Sequence, residues 1–148
     1  MYSNRFATLS IILVKKDEKK IYVIDCKHNR SRFDINNWKR DYDQFKNTYE
    51  TKLEGKRKWV EDNLQLVEEH LNCKNRLNLK IESYEVDAFF VINTPTIYMF
   101  NGRYRVLTIY DFEKFIDNEF VDIIIRLENS DTREIQDIEY PYFDNFVS

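Results

Sequence analysis

Two runs of β-branched and other apolar residues flank a charged turn near the start of the chain. They occupy residues 9 to 14 and residues 21 to 24, and every residue between Lys15 and Lys20 is charged. Apolar runs around a polar turn are typical of a β-hairpin, which we predict over residues 8 to 27. Side chains of a strand alternate between its two faces, so residues i and i+2 project together.

A helical pattern follows the hairpin. Asp34 or Asn36 is expected to cap the helix, because a side-chain oxygen there accepts a hydrogen bond from the first free backbone N–H groups. Gly55 interrupts the pattern before it resumes as far as Leu71, so one kinked helix or two consecutive helices fit. Before the glycine, apolar residues recur every three or four positions, and we interpret this stripe as core: Trp38, Tyr42, Phe45, Tyr49 and Leu53.

The second half of the chain predicts strands and one more helix. Residues 86 to 93 have the composition of a strand buried on both faces. A short strand over residues 96 to 100, a turn and a return strand over residues 105 to 109 are expected next. Asp111 is then expected to cap a helix whose apolar pattern extends as far as Ile124.

This order of elements predicts an α/β domain with a mixed central sheet and flanking helices. A chain of 148 residues that is 43% hydrophobic is long enough for one domain with a sizeable core. We place this domain in residues 1–128. Residues 129–148 form an acidic, aromatic tail, which we expect either to pack on the body or to bind a partner.

Composition excludes several functional classes. The chain has 2 glycines and contains neither a P-loop nor a dinucleotide-binding fingerprint. Cys26 and Cys73 have no zinc-site spacing, and we expect both to be reduced. No apolar run approaches the roughly 20 residues that span a bilayer, and no signal peptide is visible at the N-terminus. The sequence therefore predicts a cytoplasmic protein without a membrane partner.

The net charge of −3 conceals an asymmetry between the two halves. Residues 1–80 hold 18 Lys and Arg against 12 Asp and Glu, whereas residues 81–148 hold 5 against 14. A basic surface attracts phosphate and an acidic one repels it, so a nucleic-acid surface is expected on the N-terminal half. The alternative is that both halves simply present solvated charge.

The end of the second strand, Asp25-Cys26-Lys27, carries the most specific chemistry. Asp25 and Lys27 are two residues apart and project from the same face of the strand. A carboxylate that holds a divalent cation beside a lysine that polarises a water is what metal-assisted phosphodiester hydrolysis requires. A second metal-binding carboxylate would be expected opposite Asp25, near Ser10.

The Asp-x-Lys triplet, the hairpin that carries it and the elements that follow resemble the core of the PD-(D/E)XK nuclease superfamily over residues 8–117. The resemblance implies a restriction-endonuclease-like fold and Mg²⁺-dependent hydrolysis, with DNA as the expected substrate. It implies that Asp25 and the backbone carbonyl of Cys26 help to hold Mg²⁺. Lys27 would orient or activate the attacking water.

The chain departs from the family pattern at the metal site. The family has a metal-binding Asp in the first strand where this chain has Ser10, and an acidic helix before the hairpin is missing. One carboxylate holds Mg²⁺ weakly. Three explanations stay open: catalysis is weakened or lost, a partner chain or second copy supplies the missing groups, or the chain belongs to a larger or split nuclease.

Basic side chains near the triplet are candidates for contact with nucleic acid. The alternative is a solvated helix face with ion pairs such as Glu54 with Lys58. One set of candidates forms a cluster after the triplet: Arg30, Arg32, Lys39 and Arg40. The other set, Lys52 and Lys56, lies on a helical stripe that also includes Trp59.

Two functional hypotheses from different classes follow. The first is a nuclease-like domain related to metal-dependent DNA hydrolases, in which catalysis is weakened or lost. The second is a non-catalytic module that binds nucleic acid or another protein and keeps only the nuclease fold. A third interpretation assigns partner binding to the acidic, aromatic tail.

Overall fold

A computed structural model describes residues 9–29, 34–120, 123–128 and 132–140 of the chain. A π-helical segment, Phe45–Tyr49, joins the first two α-helices into one continuous rod. The elements are β1 (Leu9–Lys15), β2 (Lys20–Lys27), α1 (Ile35–Gln44), α2 (Glu50–Asp62), α3 (Leu64–Asn75), β3 (Glu85–Ile92), α4 (Tyr98–Asn101), β4 (Val106–Thr108), α5 (Ile109–Ile116), β5 (Ile123–Glu128) and β6 (Ile135–Tyr140).

The central sheet has four strands in the order β1-β2-β3-β4. β1 and β2 form the predicted antiparallel hairpin, whereas β3 runs parallel to β2 and β4 runs parallel to β3. β2 and β3 are central and buried on both faces, which explains their nearly continuous apolar sequences. The prediction of an α/β domain with a mixed sheet and flanking helices is confirmed.

Helices cover both faces of this sheet. Alternate residues of β2 face opposite sides, so Ile21 and Val23 pack toward α2 while Tyr22 and Ile24 pack toward α5. Asp25 and Lys27 continue the series of Ile21 and Val23, and they therefore face α2. The direction of these two side chains follows from the strand period alone.

The helical rod begins at a predicted cap but otherwise differs from the predicted pattern. Asp34 caps α1, since its side chain accepts a hydrogen bond from the Asn36 N–H. Trp38, expected in the core, is 46% exposed. Gly55 does not interrupt α2, because the burial of Leu53 on the same helix outweighs a glycine cost of about 1 kcal/mol. The break comes at Asn63.

Three further boundaries differ from those predicted. Residues 98–101 form the short helix α4 instead of continuing a strand. Thr108, and not Asp111, caps α5: Thr108 Oγ1 accepts the Asp111 N–H and donates to Asp111 Oδ2, which makes a reciprocal cap. α5 ends at Ile116, and the apolar residues that follow begin β5.

β5 and β6 form a second, two-stranded antiparallel sheet, with Ile123 opposite Tyr140 and Glu128 opposite Ile135. Part of the predicted tail is thus a strand that pairs with the segment preceding residue 129. The division into 1–128 and 129–148 stays a prediction.

Two side chains form hydrogen bonds to the part of β3 that precedes its pairing with β4. β4 pairs with the last three residues of β3, from Phe90 onward. Before that point, Arg57 Nη1 donates to the Val86 carbonyl at 3.5 Å, and the Ala88 N–H donates to Asp87 Oδ1 at 2.7 Å. These contacts satisfy backbone groups that have no β4 partner.

No helix among the described residues is long and apolar enough to cross a membrane.

Candidate functional site

The hairpin places Ser10 directly opposite Asp25. Residues paired in this way in an antiparallel sheet have Cβ atoms about 4.5–5.5 Å apart. Ser10, the position near which the sequence predicts a second carboxylate, therefore lies beside Asp25 on the neighbouring strand. Asp25 is fully buried, although it carries a carboxylate.

Lys56 of α2 reaches into the gap between these two residues. Its Nζ lies 3.1 Å from Asp25 Oδ2 and donates a hydrogen bond to Ser10 Oγ at 2.8 Å. The ammonium group thus lies between the carboxylate and the residue where a second carboxylate was expected. The side chain remains 34% exposed, so solvent reaches it.

Lys27 is the second cation on the same carboxylate oxygen. Its Nζ lies 3.0 Å from Asp25 Oδ2 and 4.2 Å from the centre of the Tyr49 ring. Burial lowers the pKa of Lys27, the ion pair with Asp25 opposes this shift, and nearby Lys56 and Lys52 add to it. Asp25 Oδ1, by contrast, is buried and has no hydrogen-bond partner among the described residues.

Tyr49 lies at the end of the π-helical segment, and its ring contacts the Lys27 ammonium. Burial raises the pKa of the Tyr49 phenol, with smaller contributions from Asp41 and Asp25. Its ring lies near the Lys27 ammonium, where the electron-rich face of an aromatic ring stabilises a cation. The sequence pattern predicts Tyr49 only as a core residue.

The residues of this site do not by themselves fit Mg²⁺. The described part of the chain has no group of three or more His, Cys, Asp or Glu side chains able to hold a metal ion. Mg²⁺ requires octahedral oxygen coordination, and here one carboxylate oxygen is already bound to two ammonium groups. The Cys26 thiol projects to the opposite sheet face, where burial raises its pKa, and a role for the Cys26 carbonyl stays a prediction.

The other predicted basic residues are distributed unevenly. Lys52 lies one helical turn before Lys56, and it is exposed. Lys39 and Arg40 are exposed on α1. Arg30 and Arg32 lie outside the described residues.

The stripe on α2 borders a groove of about 440 Å³ between α2 and β1. Lys52, Lys56 and Trp59 all line it, together with Ser10.

The role of Lys56 as a partner of Asp25 was not predicted. A signal was present, because Lys56 lies three residues after Leu53 and four before Val60, both of which are buried on the inward face of α2.

A second polar cluster lies beside another cavity of about 500 Å³. Glu54 pairs with Arg57 at 3.0 Å and with Arg103 at 3.6 Å, and it accepts a hydrogen bond from the Tyr104 hydroxyl. The hydrogen bonds from Arg57 and Tyr104 lower the pKa of Glu54 to about 2. The suggested pair of Glu54 with Lys58 is therefore replaced by pairs with arginine, whose planar fork matches a carboxylate.

Comparison with protein-family models, with curated proteins and with solved structures found no match. The resemblance to the PD-(D/E)XK nucleases stays a prediction that rests on the residues alone.

Proposed function

We propose that this chain is a nuclease-like domain with weakened or lost catalysis, which binds the phosphate groups of nucleic acid. The observation that carries the proposal is the Lys56 ammonium bound to both Ser10 Oγ and Asp25 Oδ2. In a metal-dependent nuclease a divalent cation would be expected between these positions. A lysine there supplies positive charge but neither a coordinated water nor a Lewis acid.

The charge balance of the site favours an anionic ligand. The ammonium groups of Lys27 and Lys56 both bind the single carboxylate of Asp25, and Lys52 is near enough to lower the pKa of Lys27. An ammonium has three donors, and Lys56 uses two of them on protein oxygens, so one remains for a phosphate oxygen. Lys52 is exposed beside it.

The partner would be nucleic acid, with DNA as the first candidate, in keeping with the basic N-terminal half of the chain. A second copy or a partner chain, and a cytoplasmic location, belong to the same proposal.

Salt-dependent DNA binding tests it. Fluorescence anisotropy with a labelled DNA should show affinity that falls steeply between about 50 and 200 mM salt. Lys52→Met should weaken binding severalfold and reduce the salt slope by about 1, as expected for one lost phosphate contact. Lys58→Met is the matched control, because Lys58 is exposed on another face of α2. The double reversal Arg30→Glu and Arg32→Glu tests the basic cluster.

Absence of DNA binding by the wild-type chain at low salt would refute the proposal. Equal losses in Lys52→Met and Lys58→Met would also count against it, since they would indicate attraction by net charge without a site.

A Mg²⁺-dependent nuclease is the second candidate, and the unpartnered Asp25 Oδ1 is the observation that favours it. It requires further ligands from another chain or from a longer protein. Incubation with DNA and Mg²⁺ or Mn²⁺ distinguishes the candidates. Cleavage that disappears in Asp25→Asn would establish the nuclease, and no cleavage above that control would exclude it for the isolated chain.

A further inference from the structure

The groove between β1 and α2 has an apolar wall as well as its two lysines. Ile12 of β1 is 39% exposed and Trp59 of α2 is 52% exposed, and both line it. Exposed apolar side chains that meet in a concavity mark a binding surface more often than scattered ones do. The groove therefore combines a flat aromatic surface with a mainly apolar lining, to which Lys52 and Lys56 also contribute.

Gly55 keeps the middle of the groove open. A Cβ atom at this position would meet nothing within 4 Å. Gly55 lies between Lys52 and Trp59 on α2, where any other residue would project a side chain into this space. Because glycine weakens a helix relative to alanine by about 1 kcal/mol, its presence here is not explained by helix stability.

We propose that this groove binds an unpaired nucleotide of single-stranded nucleic acid, with its base against Trp59 and its phosphate at Lys52 and Lys56. The inference rests on the proposed function and names the form of nucleic acid that the site accepts. Bases stack on aromatic side chains with little regard to sequence, and adjacent cations neutralise the backbone.

The size and the shape of the groove favour one exposed base over a duplex. Its volume of about 440 Å³ lies within the range of about 300–1,000 Å³ of small-ligand clefts. A base within a duplex has its faces covered by its neighbours and cannot lie against Trp59 unless it leaves the stack. A single strand presents its bases without that cost.

The experiment compares oligodeoxythymidylate with a duplex of equal length, using fluorescence anisotropy at low salt. The wild-type chain should bind the single strand more tightly. Trp59→Ala should weaken that binding by about 5- to 150-fold, equivalent to about 1–3 kcal/mol per stacked base. Trp59→Phe should retain most of the affinity, and duplex binding should not change. Trp38→Ala, at another exposed tryptophan, is the matched control.

Gly55→Leu is the second variant, because it should fill the groove while strengthening the helix. We expect it to fold at least as stably as the wild type and to lose single-strand affinity, with Gly55→Ala between the two. Unchanged single-strand affinity in both Trp59→Ala and Gly55→Leu would overturn the inference. If Lys52→Met still weakened DNA binding, the proposed function would stand without it.

Other outcomes would assign the groove differently and would also overturn the inference. One is a Trp59 fluorescence shift, in a Trp38→Phe background, that decanoate produces and oligodeoxythymidylate does not. Another is a dimer that dissociates on Trp59→Ala. Failure of the wild type to bind either DNA form would refute the proposed function itself.

Discussion

The carboxylates of Asp25 and Glu54 both face cations, but only that of Glu54 has hydrogen-bond partners on both oxygens. Glu54 has partners on both oxygens, with Arg57 Nη2 3.0 Å from Oε1 and Arg57 Nε 3.1 Å from Oε2. Asp25 is more deeply buried, yet both of its lysines bind Oδ2, and Oδ1 has no hydrogen-bond partner among the described residues. Buried polar atoms are nearly always satisfied, so an unsatisfied carboxylate oxygen marks Asp25 as a site where function is expected.

The carboxylates of Asp25 and Glu54 also differ in the kind of cation that they pair with. Arginine holds Glu54 in a rigid fork, whereas two lysines hold Asp25, and one of them, Lys56, is partly exposed on a flexible stem. The Glu54 cluster therefore fixes α2 against the segment that precedes β4. In the proposed function, Lys56 is the lysine that turns toward a ligand.

The largest expected effect follows from removing the Asp25 carboxylate, whose Oδ1 has no partner among the described residues. Asp25→Ala leaves the buried Lys27 ammonium without its counter-charge, and we expect the free energy of unfolding to fall by about 3–5 kcal/mol. Urea denaturation followed by circular dichroism measures it. The double variant Asp25→Ala with Lys27→Met should recover part of the loss, and a cost below about 1 kcal/mol for Asp25→Ala would contradict the pairing.

A rebuilt metal site tests the interpretation of Lys56. The double variant Ser10→Asp with Lys56→Ala places a second carboxylate opposite Asp25 and removes the competing ammonium. We expect it to gain Mn²⁺ binding, with stabilisation of about 2.7 kcal/mol when Mn²⁺ is at 100 times its Kd. Calorimetric titration and thermal unfolding measure it.

The wild type and the single variant Lys56→Ala are the controls for that experiment, and both should show a weaker response or none. An equal response in the wild type would mean that Lys56 does not stand in for a cation.

For Glu54, whose carboxylate oxygens both have partners, we expect a smaller, pH-dependent effect on the free energy of unfolding. The pKa of Glu54 is lowered from 4.5 to about 2. Because the folded-state value is the lower one, the stabilisation is complete above pH 4.5 and is lost as the pH falls toward 2. With a discount for solvent screening, we expect about 1–2 kcal/mol. Unfolding of the wild type and of Glu54→Gln across this range measures it, and the variant should lose less stability on acidification.

Much of the sheet was predictable because its signals are local. The charged turn between two apolar runs fixed the hairpin, and the length of that turn fixed Ser10 opposite Asp25. The buried run over residues 86 to 93 marked β3 for the same reason. Periodicity of side chains determines which face each one occupies, and it placed Asp25 and Lys27 together.

The remaining features depend on contacts between distant segments. The pairing of Lys56 with Asp25 joins residues 31 positions apart, and no local pattern specifies it. α4 is short, and its Tyr98 is completely buried, so packing decides its conformation more than propensity does. Gly55 predicts a break because glycine has a low intrinsic helix propensity, but the tertiary contacts of α2 outweigh that preference.

The two side chains along the edge of β3 have a consequence for association between molecules. A bare strand edge offers free donors and acceptors to any strand of another chain, and it is a starting point for aggregation. Arg57 and Asp87 occupy the Val86 carbonyl and the Ala88 N–H, which an incoming strand would need. Arg57 thus has two roles: it holds Glu54, and it occupies a backbone acceptor that a strand of a neighbouring copy would need. We expect its loss to lower colloidal solubility at high protein concentration, in addition to removing the main partner of Glu54.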